Sequence, residues 1–219
     1  MINRSLGIFG ASFFLYVSAG FSALSAVQAE DANIQVIERV VNANTAVLKG
    51  GRKIRFIGVN APDMYNADEN SKLQIAQDYD EEKLSELGRE AKQFVQYLVQ
   101  GQKVRLELEP EFAAFGHKDR EGNVLAYVWF TSPVFPKTPD WLVMDPNIEN
   151  ARHDAFLNAI IVRAGHGEMD RRWPFRYAEK FLSLEQEAQK NNRYIWNSSR
   201  LKQPAPAAAE PAAPVKPAA

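Results

Sequence analysis

Arg55 and Asp63 are the residues whose types and spacing first suggest chemistry. They bracket the run Arg55-Phe56-Ile57-Gly58-Val59-Asn60-Ala61-Pro62-Asp63. Ile54, Phe56, Ile57 and Val59 favour a strand, and Gly50-Gly51 supplies the turn before it. The run stops at Asn60-Ala61-Pro62, because the residue before a proline is pushed out of helical geometry and proline has no N–H for a ladder. An arginine inside a strand, with an acid just past its end, can hold a phosphate and a cation at the rim of a small barrel. Without that context, an arginine in a Lys-x-Arg alternation is a solvated strand face, and an acid after a proline is a turn residue.

A second candidate lies near the C-terminus. Arg171, Arg172 and Arg176 surround Trp173 and Phe175, a mixture of cations and aromatics that could hold phosphates and bases. The competing reading is surface charge around two core aromatics. Residues 63–90 carry nine acids against three bases, so any polyanion would meet an acidic lip there. His117, His153 and His166 have no metal-ligand spacing, although His117 and Asp119 share one loop. The sequence has no cysteine, which excludes disulfides, thiolate zinc sites and cysteine nucleophiles. It also has no phosphate-cradling glycine loop, Gly-x-Ser-x-Gly elbow or His-Glu-x-x-His.

The elements that must position these residues can be read from periodicity. Residues 34–41, 45–48 and 53–59 read as three strands joined by turns at Asn42-Ala43-Asn44-Thr45 and Lys49-Gly50-Gly51, a meander. Residues 64–79 are polar and aperiodic, longer than an ordinary connection, and so functional or mobile. Asp80 opens a helix carrying Leu84, Leu87, Ala91, Phe94, Val95 and Leu98, and Gly101 ends it. Strands at 103–109 and 124–130 follow. Residues 131–152 read as a long loop in which Phe135 and Trp141 either bind a ligand or pin the loop to the barrel. Asp154 is expected to cap a helix that includes Phe156 and ends at Gly165, and Pro174 to start a last helix. Five strands with a helix between the third and fourth is the layout of an OB-fold barrel.

The ends differ from this middle. Residues 1–29 read as an export signal: Arg4, an uncharged run from Ser5 to Ala29, and the small-x-small Val27-Gln28-Ala29. The rival reading is an uncleaved membrane anchor. The segment from about Gln203 to Ala219 is nearly all Ala and Pro and reads as an extended tail. Residues 30–202 are left as one domain, with 46% hydrophobic residues in the chain against 24% charged, a globular composition. The formal net charge of −1 makes the molecule no general polyanion trap.

Several ordered pieces resemble the staphylococcal nuclease (thermonuclease) family. They are Val40-Val41-Asn42-Ala43-Asn44-Thr45, the run from Ile54 to Asp63, Gly88-Arg89-Glu90-Ala91, the stretch from Asp119 to Tyr127, that from Leu157 to Gly165, and that from Glu185 to Trp196. The resemblance implies an α+β, mainly β fold, a five-stranded OB-fold barrel with three helices. It also implies a family chemistry: hydrolysis of DNA and RNA phosphodiesters with one Ca²⁺. Clustered carboxylates would bind the hard cation, two arginines would meet the growing phosphate charge, and an acid would position or deprotonate the attacking water.

Carried over by position, the resemblance puts Arg55 at the family's first arginine and Asp63, one methylene shorter, at its glutamate. The two metal-binding aspartates become Asn44 and Asn60. The second arginine becomes Asn123. The implied metal set is therefore Asn44, Asn60 and Asp63, two negative charges poorer than the family's, which predicts a weak or absent Ca²⁺ site. Loss of one transition-state donor typically costs ~10²–10³ in rate. The expectation is an exported, monomeric domain, periplasmic or secreted, with no stable membrane insertion once the signal is cleaved. It would bind single-stranded nucleic acid or an envelope protein without hydrolysis. The alternatives are a slow Ca²⁺-dependent nuclease, with Arg55 as clamp, Asp63 as base and Arg120 or Lys118 replacing the second arginine, and a structural envelope module.

Overall fold

The computed structural model describes residues 33–132, 135–144, 154–197 and 199. The expected signal segment, the Ala/Pro tail, His153 and part of the 131–152 loop lie outside the described residues.

Five strands close a barrel: β1 Ile34–Asn42, β2 Thr45–Leu48, β3 Lys53–Phe56, β5 Lys103–Glu107 and β6 Val124–Thr131. The pairs β1–β2, β2–β3, β1–β5 and β5–β6 are antiparallel. The ring closes through a parallel β3–β6 pair, with Arg55 opposite Leu125. The expected mainly-β, OB-type architecture is therefore present. Alternation along β3 fixes the site: Ile54 and Phe56 are buried in the core, and Arg55 points to the other face of the wall.

The third strand is shorter than expected. It stops at Phe56, because the chain turns at Ile57-Gly58, where Gly58 has φ +76°. A Cβ there would lie 2.7 Å from the Phe175 ring, so only glycine permits the turn. Val59–Asn60 then forms a separate strand, β4, paired antiparallel with β8 Glu168–Met169. Asn158, fully buried, bridges the turn to the barrel: its Nδ2 donates to the carbonyls of Ile57 and Ala126, and its Oδ1 accepts from the Val128 N–H.

Asp154 does not cap a helix. Asp154–Phe156 is a strand, β7, because β3 covers only the start of β6 and leaves the Trp129–Thr131 edge free to pair. Phe156 stacks on Trp129 at 4.2 Å, which favours the extended form. Helix α3 begins one residue later, at Leu157–Arg163. The last helix, α4 Ala178–Lys190, starts four residues after Pro174 rather than at it.

Helix α2, Glu81–Val99, runs as expected from an Asp80 cap whose side chain accepts the Lys83 N–H at 2.8 Å. The 64–79 stretch is more ordered than its composition suggests. It contains a one-turn helix, α1 Ala67–Asn70, and a 3-10 turn, Gln74–Gln77. Leu73, Ile75 and Tyr79 pack with Leu84 and Leu87 of α2 and with Ile195, forming a second core. Of the two roles open to Trp141, the structure shows the pin: its ring meets Phe94 of α2 edge-on at 5.3 Å.

Candidate functional site: a cleft beside Arg55

Two adjoining cavities meet at Arg55. The smaller, about 120 Å³, is a polar cup whose lining includes Asn42, Asn44, Thr45, Arg55, Asp63 and Asn123. The larger, about 670 Å³, is a cleft between the barrel wall, the loop after β5 and the segment after β8. Arg55, Glu69 and Glu121 line both, so cup and cleft adjoin.

Antiparallel pairing brings the cup together. Thr45 sits opposite Arg55 in the β2–β3 register, so the turn 42–45 lies beside the guanidinium. Asp63 is delivered from the other side by the chain leaving β4. That chain crosses α2 at Gly88, where a Cβ would come within 2.8 Å of the Asp63 carbonyl carbon. Asn70 then fixes it: Asn70 Oδ1 accepts the Asp63 N–H at 2.7 Å and Nδ2 donates to the Asp63 carbonyl at 2.8 Å.

The Asp63 carboxylate accepts two hydrogen bonds. One oxygen accepts from Asn42 Nδ2, the other from the Tyr65 N–H at 2.8 Å. Asn44 Oδ1 accepts from the Thr45 hydroxyl at 2.9 Å. Asn60 does not line the cup. It is buried on β4, and its Nδ2 donates to Glu168 Oε1 at 3.1 Å. Asn123 is held by Asp119 and Glu121. Ca²⁺ takes six to eight oxygen ligands with carboxylates prominent among them. Here Asn60, one expected ligand, is turned toward Glu168 and away from the cup that Asn44 and Asp63 line. The expected set of Asn44, Asn60 and Asp63 therefore does not converge on one point, and among the described residues no group of three His, Cys, Asp or Glu is placed to hold a metal.

Arg55 presents the opposite case. Its Nη2 is buried and has no hydrogen-bond partner, an unusual state for a guanidinium nitrogen. Around it the cleft is lined by Lys72, Lys118, Arg120 and Arg172, which Glu69, Asp119, Glu121 and Asp170 match in number, so Arg55 is the cation in excess. Phe112 and Phe175 give it an apolar floor, and Phe115 and Trp173 stand 57% and 51% exposed at its edge.

The three C-terminal arginines do not gather into one patch. Arg172 lines the cleft and pairs with Asp170 at 2.6 Å, which raises its pKa. Arg171 pairs with buried Glu185 of α4. Arg176 pairs with Glu107 of β5 at 2.6 Å and lies over the Tyr177 ring. Sequence reading missed Glu69 and Lys72 as site residues, although Asn66-x-x-Glu69 carries a helix-start signature that would have placed them: Asn66 Oδ1 accepts the Glu69 N–H at 3.1 Å. It missed Glu168 altogether. That carboxyl is 2% exposed, and burial pushes its pKa up to about 7 against the lowering influence of the Gln74 N–H and Asn60.

A family model described as staphylococcal nuclease homologue matches residues 53–198, more than half of the chain. The chain belongs to the staphylococcal nuclease family. A search of curated proteins returns no match. The matched region begins at β3, so the Asn42–Thr45 turn lies outside it and joins the site through its pairing with β3. The nucleases of this family are Ca²⁺-dependent. Its barrel is present here, with Arg55 on the outer face of β3 beside the cup.

Proposed function

We propose that this nuclease-family domain binds single-stranded nucleic acid in the Arg55 cleft and does not hydrolyse it with Ca²⁺. The observation that carries the reading is the contrast between Arg55 and Asp63: the guanidinium has a buried nitrogen without a partner, and the acid has a partner at each oxygen. A phosphate oxygen would satisfy Arg55. Exposed Phe115 and Trp173 offer faces on which bases stack, and such stacking tolerates any sequence. Asn44, Asn60 and Asn123, at positions where the family carries two aspartates and an arginine, support a weak or absent Ca²⁺ site. The N-terminal segment, with Arg4, an uncharged run and the small-x-small Val27-Gln28-Ala29, supports export.

The second reading is a slow nuclease. It is favoured by Lys118 and Arg120, which line the same cleft as Arg55 and offer a second cation for a phosphate. The test is fluorescence anisotropy of a labelled single-stranded oligonucleotide with the purified protein, across a salt series. Binding should weaken as salt rises and fall about tenfold or more in Arg55→Ala. An affinity that ignores both salt and Arg55, or no affinity at all, would refute the nucleic-acid reading and favour a protein partner or a structural role.

A further inference from the structure

Two basic side chains, Lys72 and Arg172, pair with one carboxylate, that of Glu69, and Arg55 lines the same cleft. Lys72 Nζ lies 2.5 Å from its Oε1. Arg172 Nη1 lies 3.7 Å from its Oε2, while Nη2 of the same guanidinium holds Asp170. Arg55 lines both the cup and the cleft together with Glu69. The hydrogen bond from Lys72 is the main reason the Glu69 carboxyl lies below the usual carboxylate range, burial opposes it, and Arg172 and Arg55 add to the lowering. The convergence also sets the sign of the site. An acid paired with two cations and lowered by a third is a poor ligand for a further cation and a good stand-in for an anion.

A carboxylate and a phosphate ask for the same donors in the same geometry. Lys72 stands just after α1 and Arg172 just after β8, and both line the cleft. Together with Arg55 of β3, which lines the same cleft, they form a cationic cradle. The buried Nη2 of Arg55 is a donor in it without a hydrogen-bond partner. Glu69 is carried on a single helical turn and its side chain is 30% exposed, so its charge can be removed without opening the core.

We propose that Arg55, Lys72 and Arg172 form a phosphate-binding site which Glu69 occupies in the free protein, so that Glu69 is an internal competitor setting the affinity of the cleft for phosphodiesters. The inference rests on the nucleic-acid-binding reading for its ligand, and on the cradle alone for its chemistry. Binding exchanges one anion for another: the phosphate takes the donors, and the Glu69 carboxylate returns to water beside Lys72. Three cations against Glu69 and Asp170 leave the cradle one positive charge in excess, a point at which a domain of formal charge near zero could hold a polyanion.

The test uses Glu69→Gln, which keeps shape and removes charge, and Glu69→Asp, which keeps charge. Two probes separate the claims: a labelled single-stranded oligothymidylate read by anisotropy, and inorganic phosphate read by the rise in thermal midpoint. Glu69→Gln should bind the oligonucleotide about tenfold more tightly than wild type, since a like charge within a few ångströms of the phosphate has gone. Its midpoint should rise with phosphate more than that of the wild type, Glu69→Asp should behave as wild type, and Glu69→Gln combined with Arg55→Gln should lose the gain. A folded Glu69→Gln that gains nothing with either probe overturns the inference. If it gains nothing while Arg55→Ala still weakens oligonucleotide binding, the competitor fails and the binding reading stands. If it gains with phosphate while no variant binds oligonucleotide, the anion site stands and the nucleic-acid reading fails. Glu69→Ser serves as a second charge-free variant should the glutamine misfold.

Discussion

Replacing Glu168 by glutamine should stabilise the protein above neutral pH, a reversal of the usual rule that core substitutions destabilise. Glu168 is 2% exposed on β8. Its two oxygens accept from Asn60 Nδ2 at 3.1 Å and from the Gln74 N–H at 2.9 Å. Those bonds favour the carboxylate, as does Arg171, but desolvation outweighs them and buried Glu185 adds to it, bringing the pKa to about 7. The sign follows from proton linkage. Between the usual glutamate pKa and about 7, the folded state holds a proton that the unfolded state has released. Stability therefore falls as pH rises through that window, by about 3 kcal/mol in all, and is flat above it. Glutamine carries no such penalty. Its Oε1 can accept from the Gln74 N–H, and its amide can donate to Asn60 once the Asn60 amide turns over. Urea unfolding of both proteins from about pH 5 to about pH 8 should show equal stability at the acidic end. At the alkaline end the variant should lead by about 2–3 kcal/mol, with unchanged slopes. A difference that does not change with pH, or a variant weaker at pH 8, would mean that Glu168 ionises without cost and that the burial argument is wrong.

Asn60→Asp should be destabilising above neutral pH, by about 2–4 kcal/mol, because it sets a second carboxylate against Glu168. Glu168→Gln in the same chain should recover most of that loss in a double-mutant cycle. Asn70→Ala should cost about 2–4 kcal/mol in urea unfolding, since it leaves the N–H and carbonyl of Asp63 without partners. Amide exchange should speed up first around residues 63–79, and uniform acceleration across the barrel would contradict a local clamp.

The barrel was largely legible in the sequence because its signals are local. The strands 34–41, 45–48 and 103–109 alternate or run apolar, and Asp80 and Gly101 mark the ends of one helix. What was not legible depends on contacts distant in the chain. Nothing local stops the third strand at Phe56; the packing of Phe175 against Gly58 does. Nothing local makes Asp154–Phe156 a strand; the free edge of β6 does. The site divides in the same way. Arg55 and Asp63 could be placed by their neighbours in sequence, and Asn44 and Asn123 join them across the barrel wall. Asn60 was placed with them by position, yet the structure turns it toward Glu168, more than a hundred residues on, whose carboxyl no sequence pattern marks. Glu69 and Lys72 sit in a stretch whose composition looked merely polar, and the core residues Leu73, Ile75 and Tyr79 are what hold that stretch against the cleft.

The central claim is that Arg55 binds phosphodiesters without Ca²⁺-dependent cleavage. A Ca²⁺ titration of the purified protein, with cleavage of single-stranded DNA followed by gel and with Arg55→Ala alongside, tests it most directly. The account predicts no cleavage at any Ca²⁺ concentration, no heat of Ca²⁺ binding, and oligonucleotide binding that Arg55→Ala weakens. Ca²⁺-dependent cleavage that Arg55→Ala abolishes would contradict it and make the domain a working nuclease.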